Sequence, residues 1–171
     1  MATAHTAPGL HVEVAKAMFA KRNPDLETKV LKWISEIIGE KVPKYQGTPY
    51  EEALADGVFL CKLMEKLNPG SVRNIDLEPK HAFKAVENVA KFLRAAQKYG
   101  VPEDDLFQTV DLVEKKNTPQ VTATIVAVAR ATWLHPEFKG PHLVGKSAEP
   151  QPRHFDEKQL KESAALGSLA L

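Results

Sequence analysis

The segment "KHAFKAVENVAKFLRAAQKY", Lys80 to Tyr99, constrains the fold more than any other. Phe83, Val86, Val89, Ala90, Phe92, Leu93 and Ala96 recur at helical spacing and cover more than half the girth, and Gly100 closes the run. A helix apolar over so much of its surface needs neighbours on several sides, which makes it a central element of a helical core.

Those neighbours can be read from the same periodicity. In "NPDLETKVLKWISEIIGE", Asn23 is a cap, Pro24 the first helical position and Gly39 the stop. Leu26, Val30, Trp33, Ile34, Ile37 and Ile38 form its buried stripe, with Lys29, Lys32 and Glu36 on the other side. In "DGVFLCKLMEKLNPGSV", Asp56 is a candidate cap, and Phe59, Leu60, Leu63, Met64 and Leu67 share a face that ends at Asn68-Pro69-Gly70. Thr118-Pro119 opens a last helix, "TPQVTATIVAVARATWLH", with threonine as the cap. Shorter elements are expected at Leu10–Arg22, where Val14 and Met18 line up with Ala15 and Phe19, after Pro49, and around Leu106, Phe107, Val110, Leu112 and Val113. The loop "VPKYQGTP" and the connector from Ser71 to Lys80 are irregular. No strand alternation of useful length occurs. The fold class is therefore all-α, with four main helices and short connecting helices. Residues 1–9 read as a disordered N-terminus and 10–136 as one domain with a leading short helix. Residues 137–171, rich in Pro, Gly and His at first, read as linker and flexible C-terminal tail with one further transient helix from Asp156.

A chain of 171 residues buries enough surface to need no metal or disulfide staple. A lone cysteine forms no internal disulfide, which suits a reducing compartment. The N-terminus lacks the pattern of a signal peptide, and Val121 to Leu134 is too short and too polar to span a bilayer. These features predict a cytoplasmic protein. With a net charge of +1 there is little electrostatic support for generic binding to nucleic acid or an anionic membrane.

Chemistry is scarce. No phosphate-binding loop, dinucleotide fingerprint, zinc-protease motif or nucleophile elbow is present. The six histidines do not pair at ligand spacing, and "PEDDLFQTVD" lacks the spacing and glycine of a calcium loop. No catalytic residue, cofactor or metal is expected. Cys61 lies beside an apolar face and reads as a buried hydrophobe. Two basic groups stand out: Lys29 and Lys32 on one helix face, and Lys115-Lys116 just before the last helix. Each is either a routine solvated surface or a footprint for an acidic partner.

The segments "LKWI" (31–34), "ALADGVFLCKLMEKLNPGSV" (53–72), "FKAVENVAKFLRAAQKYGV" (83–101) and "DLFQTVDLVEKKNTPQV" (105–121) resemble a calponin homology domain in order and spacing, from about Leu10 to Leu134. The leading helix and the tail element "FDEKQLKE" are similar to the single-domain calponin and transgelin group. The resemblance implies an all-α, non-enzymatic fold in which Trp33, Asp56, Leu60, Cys61, Leu63, Leu67, Asn88 and Leu93 are scaffold. It implies filamentous actin as partner and a cytoskeletal, muscle-type role. Matched by position, the actin contacts would be Lys29, Lys32, Lys115, Lys116, Gln120 and Thr124. Two departures keep a second reading open. Only one copy of the domain is present, and the tail after Glu162 reads "SAALGSLAL", without the Asn-Lys-Gly of the calponin-type repeat. The second reading is a signalling adaptor that recruits kinases or other cytoskeletal proteins with little direct grip on actin.

Overall fold

A computed structural model describes residues 20–42 and 49–146. Six α-helices run through these residues: α1 (Pro24–Ile38), α2 (Tyr50–Leu54), α3 (Val58–Leu67), α4 (Ala82–Tyr99), α5 (Thr109–Val113) and α6 (Thr118–Ala131). Single 3-10 turns, Glu103–Asp105 and Thr132–Leu134, precede α5 and follow α6. No strand occurs among the described residues. The expected leading helix (apart from its last three residues), most of the loop after Val42 and the tail beyond Lys146 lie outside them.

The termini show why the helices stand where they do. The Asn23 side chain accepts the Leu26 amide at 3.0 Å, Pro24 supplies the first position, and Gly39 turns left-handed with φ 74°. α3 begins one residue later than its candidate cap Asp56 predicts. Gly57 occupies the cap position with φ 71°, while the Asp56 carboxylate accepts the Val58 amide at 2.9 Å. The cap of α6 is Asn117, whose side chain accepts the Gln120 amide at 3.3 Å, so Thr118 is the first helical residue and not the cap.

α3 lies across α4, and glycine is required where they meet. A Cβ on Gly57 would stand 2.8 Å from both the Asn88 Cβ and the Val89 amide nitrogen. Asn88 is fully buried there and ties three segments together. Its amide donates to the carbonyls of Asp56 (3.1 Å) and Asp76 (2.8 Å), and its oxygen accepts the Asp76 amide (3.1 Å). One asparagine thus fixes the entry to α3 and the middle of the irregular connector.

α4 is less fully covered than its periodicity predicts. Asn88, Val89, Phe92, Ala95, Ala96 and Tyr99 are buried, but Phe83 is 61% exposed and Val86 40%. The reason is length. At about 1.5 Å per residue, α4 is nearly twice as long as α3, and its first turns project past the neighbour.

The chain after Pro136 also departs from expectation. Through residue 146 it has no regular structure, yet it is packed on the domain. The Trp33 indole donates to the Pro141 carbonyl at 2.7 Å, and Trp133 stacks on His142 at 3.7 Å and donates to the Val144 carbonyl at 3.0 Å. Phe138, Leu143 and Val144 contact the core cluster. Proline and glycine deny this stretch helical periodicity without denying it apolar side chains.

Candidate functional site

The two lysine groups are carried by different parts of the fold. Lys29 and Lys32 sit on the exposed side of α1, opposite the buried Val30, Leu31 and Ile34. Lys32 reaches Glu36 one turn on at 3.9 Å, a loose pair with both side chains largely in solvent. Lys115 and Lys116 occupy the tight turn between α5 and α6. Lys115 holds φ 55°, a left-handed conformation that costs a non-glycine residue about 1–2 kcal/mol. Its ammonium meets Glu52 of α2 at 2.9 Å, and Lys116 pairs with Glu114 at 2.6 Å.

α2 is the element that relates the two groups. Arg22, at the entry to α1, binds Glu27 through two bonds of 2.8 and 2.9 Å and reaches Glu51 at 3.0 Å. Its neighbour Glu52 holds Lys115. Tyr50 is buried, and its hydroxyl accepts from Thr122 of α6 at 3.0 Å. Burial pushes the Glu51 carboxyl up, but the Arg22 guanidinium, its own backbone amide and the Lys115 charge outweigh burial and hold it below the ordinary 4.5. A short acidic helix thereby links the start of α1 to the α5–α6 turn.

The other two expected contact residues behave differently from the lysines. Gln120 is half-buried, and its side-chain amide donates to the Asp105 carbonyl at 3.3 Å. Thr124 is fully buried, and its hydroxyl donates to the same carbonyl at 2.7 Å. Thr124 therefore offers no surface to a partner. It ties the 3-10 turn to α6, a supporting role that the positional match could not distinguish from contact.

Cys61 is fully buried on α3, with its thiol donating to the Asn88 carbonyl at 3.1 Å. Burial pushes its pKa up to about 12, so the thiolate needed for nucleophilic chemistry is suppressed. No group of three or more metal-ligating side chains is found among the described residues, and none of their helices is long and apolar enough to cross a membrane.

Residues 24–132 match the model of the calponin homology (CH) domain family. The chain is 44% identical to myophilin of Echinococcus granulosus over 161 residues, covering 94% of this chain and 84% of that protein. It is 45% identical to muscle-specific protein 20 of Drosophila melanogaster over 150 residues, covering 88% and 80%. It is 35% identical to calponin-1 of Meleagris gallopavo over 156 residues, covering 91% and 85%. Among solved structures, it superposes on the calponin-homology domain of Rng2 from Schizosaccharomyces pombe with a TM-score of 0.58 at 25% identity, covering 85% of this chain and 88% of that one. No enzymatic family is indicated by these matches.

Proposed function

Because this chain belongs to the calponin homology family, in its single-domain calponin and transgelin group, we propose that it is an actin-associated cytoskeletal protein that binds or stabilises filaments. The observation that carries this reading is the likeness to myophilin, muscle-specific protein 20 and calponin-1 over most of each chain. In this reading Lys29, Lys32, Lys115 and Lys116 face the filament, with Gln120 beside them and Thr124 holding the turn from within.

The carboxylates beside three of these lysines set the expected strength. Exposed pairs such as Lys115–Glu52 stabilise the free protein by about 0–1 kcal/mol, so an acidic partner displaces them at small cost. Their presence nonetheless makes the face electrically mixed. Steering by such a face is modest and salt-sensitive, with a screening length of about 10 Å at 0.1 M salt.

This mixed charge also favours the second reading, an adaptor that recruits a kinase or another cytoskeletal protein and grips actin weakly. Co-sedimentation of the full chain with filamentous actin across a salt series separates the two. Binding that weakens with salt and with the Lys115→Glu/Lys116→Glu double variant supports the filament-facing surface. Equal binding by that variant removes these lysines from the contact. No binding at any salt supports the adaptor.

A further inference from the structure

A second basic feature lies away from that surface, between α4 and the turn that follows α3. Lys91, Arg94 and Lys98 recur at i, i+3 and i+7 along α4, and Arg73 approaches from the connector. Together with residues 70–72 they line an open cleft of about 410 Å³. That volume falls within the usual range of small-ligand sites, roughly 300–1,000 Å³.

The cations are arranged to stay available. Lys91 is held in place: its ammonium donates to the Asn74 carbonyl at 2.7 Å and meets Glu87 at 3.0 Å. Among the described residues, Arg73, Arg94 and Lys98 form no ion pair, and all three are exposed. No acidic side chain lines the cleft. Glu65, in the last turn of α3, is spent on the wall, where its carboxylate accepts the amides of Gly70 (2.7 Å) and Val72 (3.1 Å) and fixes the turn. Like charges at these helical spacings repel, so the cluster is unfavourable to the helix when empty.

The lining identifies the ligand class. Its only apolar side chain is Val72, and no aromatic ring offers a platform for a base. Recognition rests on charge and on the guanidinium forks, which match phosphate oxygens in pairs. We propose that this cleft binds a compact anion carrying two or more phosphomonoesters, either as a free small molecule or as a lipid headgroup. An extended acidic peptide fits less well, because no apolar recess lines the cleft to hold its flanking side chains.

The test uses the full chain and isothermal titration with inositol 1,4,5-trisphosphate, with inorganic phosphate as the single-phosphate comparison. Saturable, salt-sensitive binding of the trisphosphate is expected, with far weaker binding of phosphate. Arg73→Ala/Arg94→Ala should weaken it at least about tenfold, since two charge-assisted contacts are lost. Arg130→Ala/Lys139→Ala removes the same charge from exposed positions outside the cleft and should change nothing. Circular dichroism confirms that both variants are folded. Flotation with phosphatidylcholine vesicles, with and without phosphatidylinositol bisphosphate, then separates the sources. Capture that needs the bisphosphate and fails in the cleft variant assigns a lipid headgroup; trisphosphate binding without capture assigns a soluble ligand. The proposal is overturned by absence of saturable trisphosphate binding, by equal weakening in both double variants, or by a phosphoserine peptide that binds through Arg73 and Arg94 and is not displaced by trisphosphate. The cleft uses none of the filament-facing lysines, so the two readings fail separately.

Discussion

Trp33→Ala should unfold the domain at much lower denaturant, and the structure sets the size of the effect. Trp33 is 2% exposed, within the cluster formed by α1, α3, α4 and α6. A buried aromatic removes about 200 Å² from water, which at ~25 cal/mol per Å² corresponds to ~5 kcal/mol, and large-to-small aromatic changes cost about 3–5 kcal/mol. The indole also donates to Pro141, so truncation leaves that carbonyl without its protein donor. Trp33→Phe isolates this second part: most of the ring volume remains, and the loss should be about 1–2 kcal/mol. Urea unfolding followed by circular dichroism reads both. With a slope of about 2 kcal/mol per M, the alanine variant should shift the midpoint by ~2 M and the phenylalanine variant by about 0.5–1 M. Hydrogen exchange in Trp33→Phe should rise in residues 136–146 before it rises in α3 or α4. A Trp33→Ala shift below about 0.5 M, or unchanged exchange after Pro136 in Trp33→Phe, would refute the packing argument.

Three further outcomes are expected. Asn88→Ala should destabilise by about 2–4 kcal/mol, because the Asp76 amide and the carbonyls of Asp56 and Asp76 lose a buried partner, and thermal unfolding measures it. Cys61→Ala should cost only about 1 kcal/mol and leave actin co-sedimentation unchanged, and the native thiol should resist alkylating reagents until the protein is unfolded. Glu51 has a folded pKa below 4.5, so its contribution is present above that value and is lost as pH falls through the folded pKa. Acid unfolding of Glu51→Gln should be less steep below pH 4.5 than that of the parent; identical profiles would show that the Arg22 pairing adds nothing.

How legible the fold was depends on how local its causes are. Caps and stripes place α1, α3, α4 and the start of α6 to within a residue or two, because Asn23, Pro24, Gly39, Gly100 and Pro119 act on their own turn; the expected end of α6 at His135 is instead Ala131, after which the chain tightens into the 3-10 turn Thr132–Leu134. Asp56 and Thr118 were each one residue off as caps, since a neighbouring glycine and asparagine took the position instead. Exposure of Phe83 could not be read, because it depends on the unequal lengths of α3 and α4. Nor could the docking of residues 136–146, whose anchor Trp33 lies more than a hundred residues away.

The surface follows a different logic. A lysine's position in sequence fixes which side of its helix it occupies but not which carboxylate stands beside it. Lys115 meets Glu52 across 63 residues, and its left-handed backbone is invisible in the residue type. Thr124 failed as a contact for the related reason that a small hydroxyl on a helix can face in or out, and here the Asp105 carbonyl holds it inside. The basic cleft shows the converse. Lys91, Arg94 and Lys98 stand at helical spacing, but a row of cations is ordinary until a facing wall makes it a site. That wall depends on Glu65 engaging the amides of the turn and on Arg73, and it faces the row only where the turn lies against α4. The helix pair that Gly57 and Asn88 bring together is thus the scaffold of the domain and also the frame of this basic recess, so a change at that crossing should disturb both stability and anion binding.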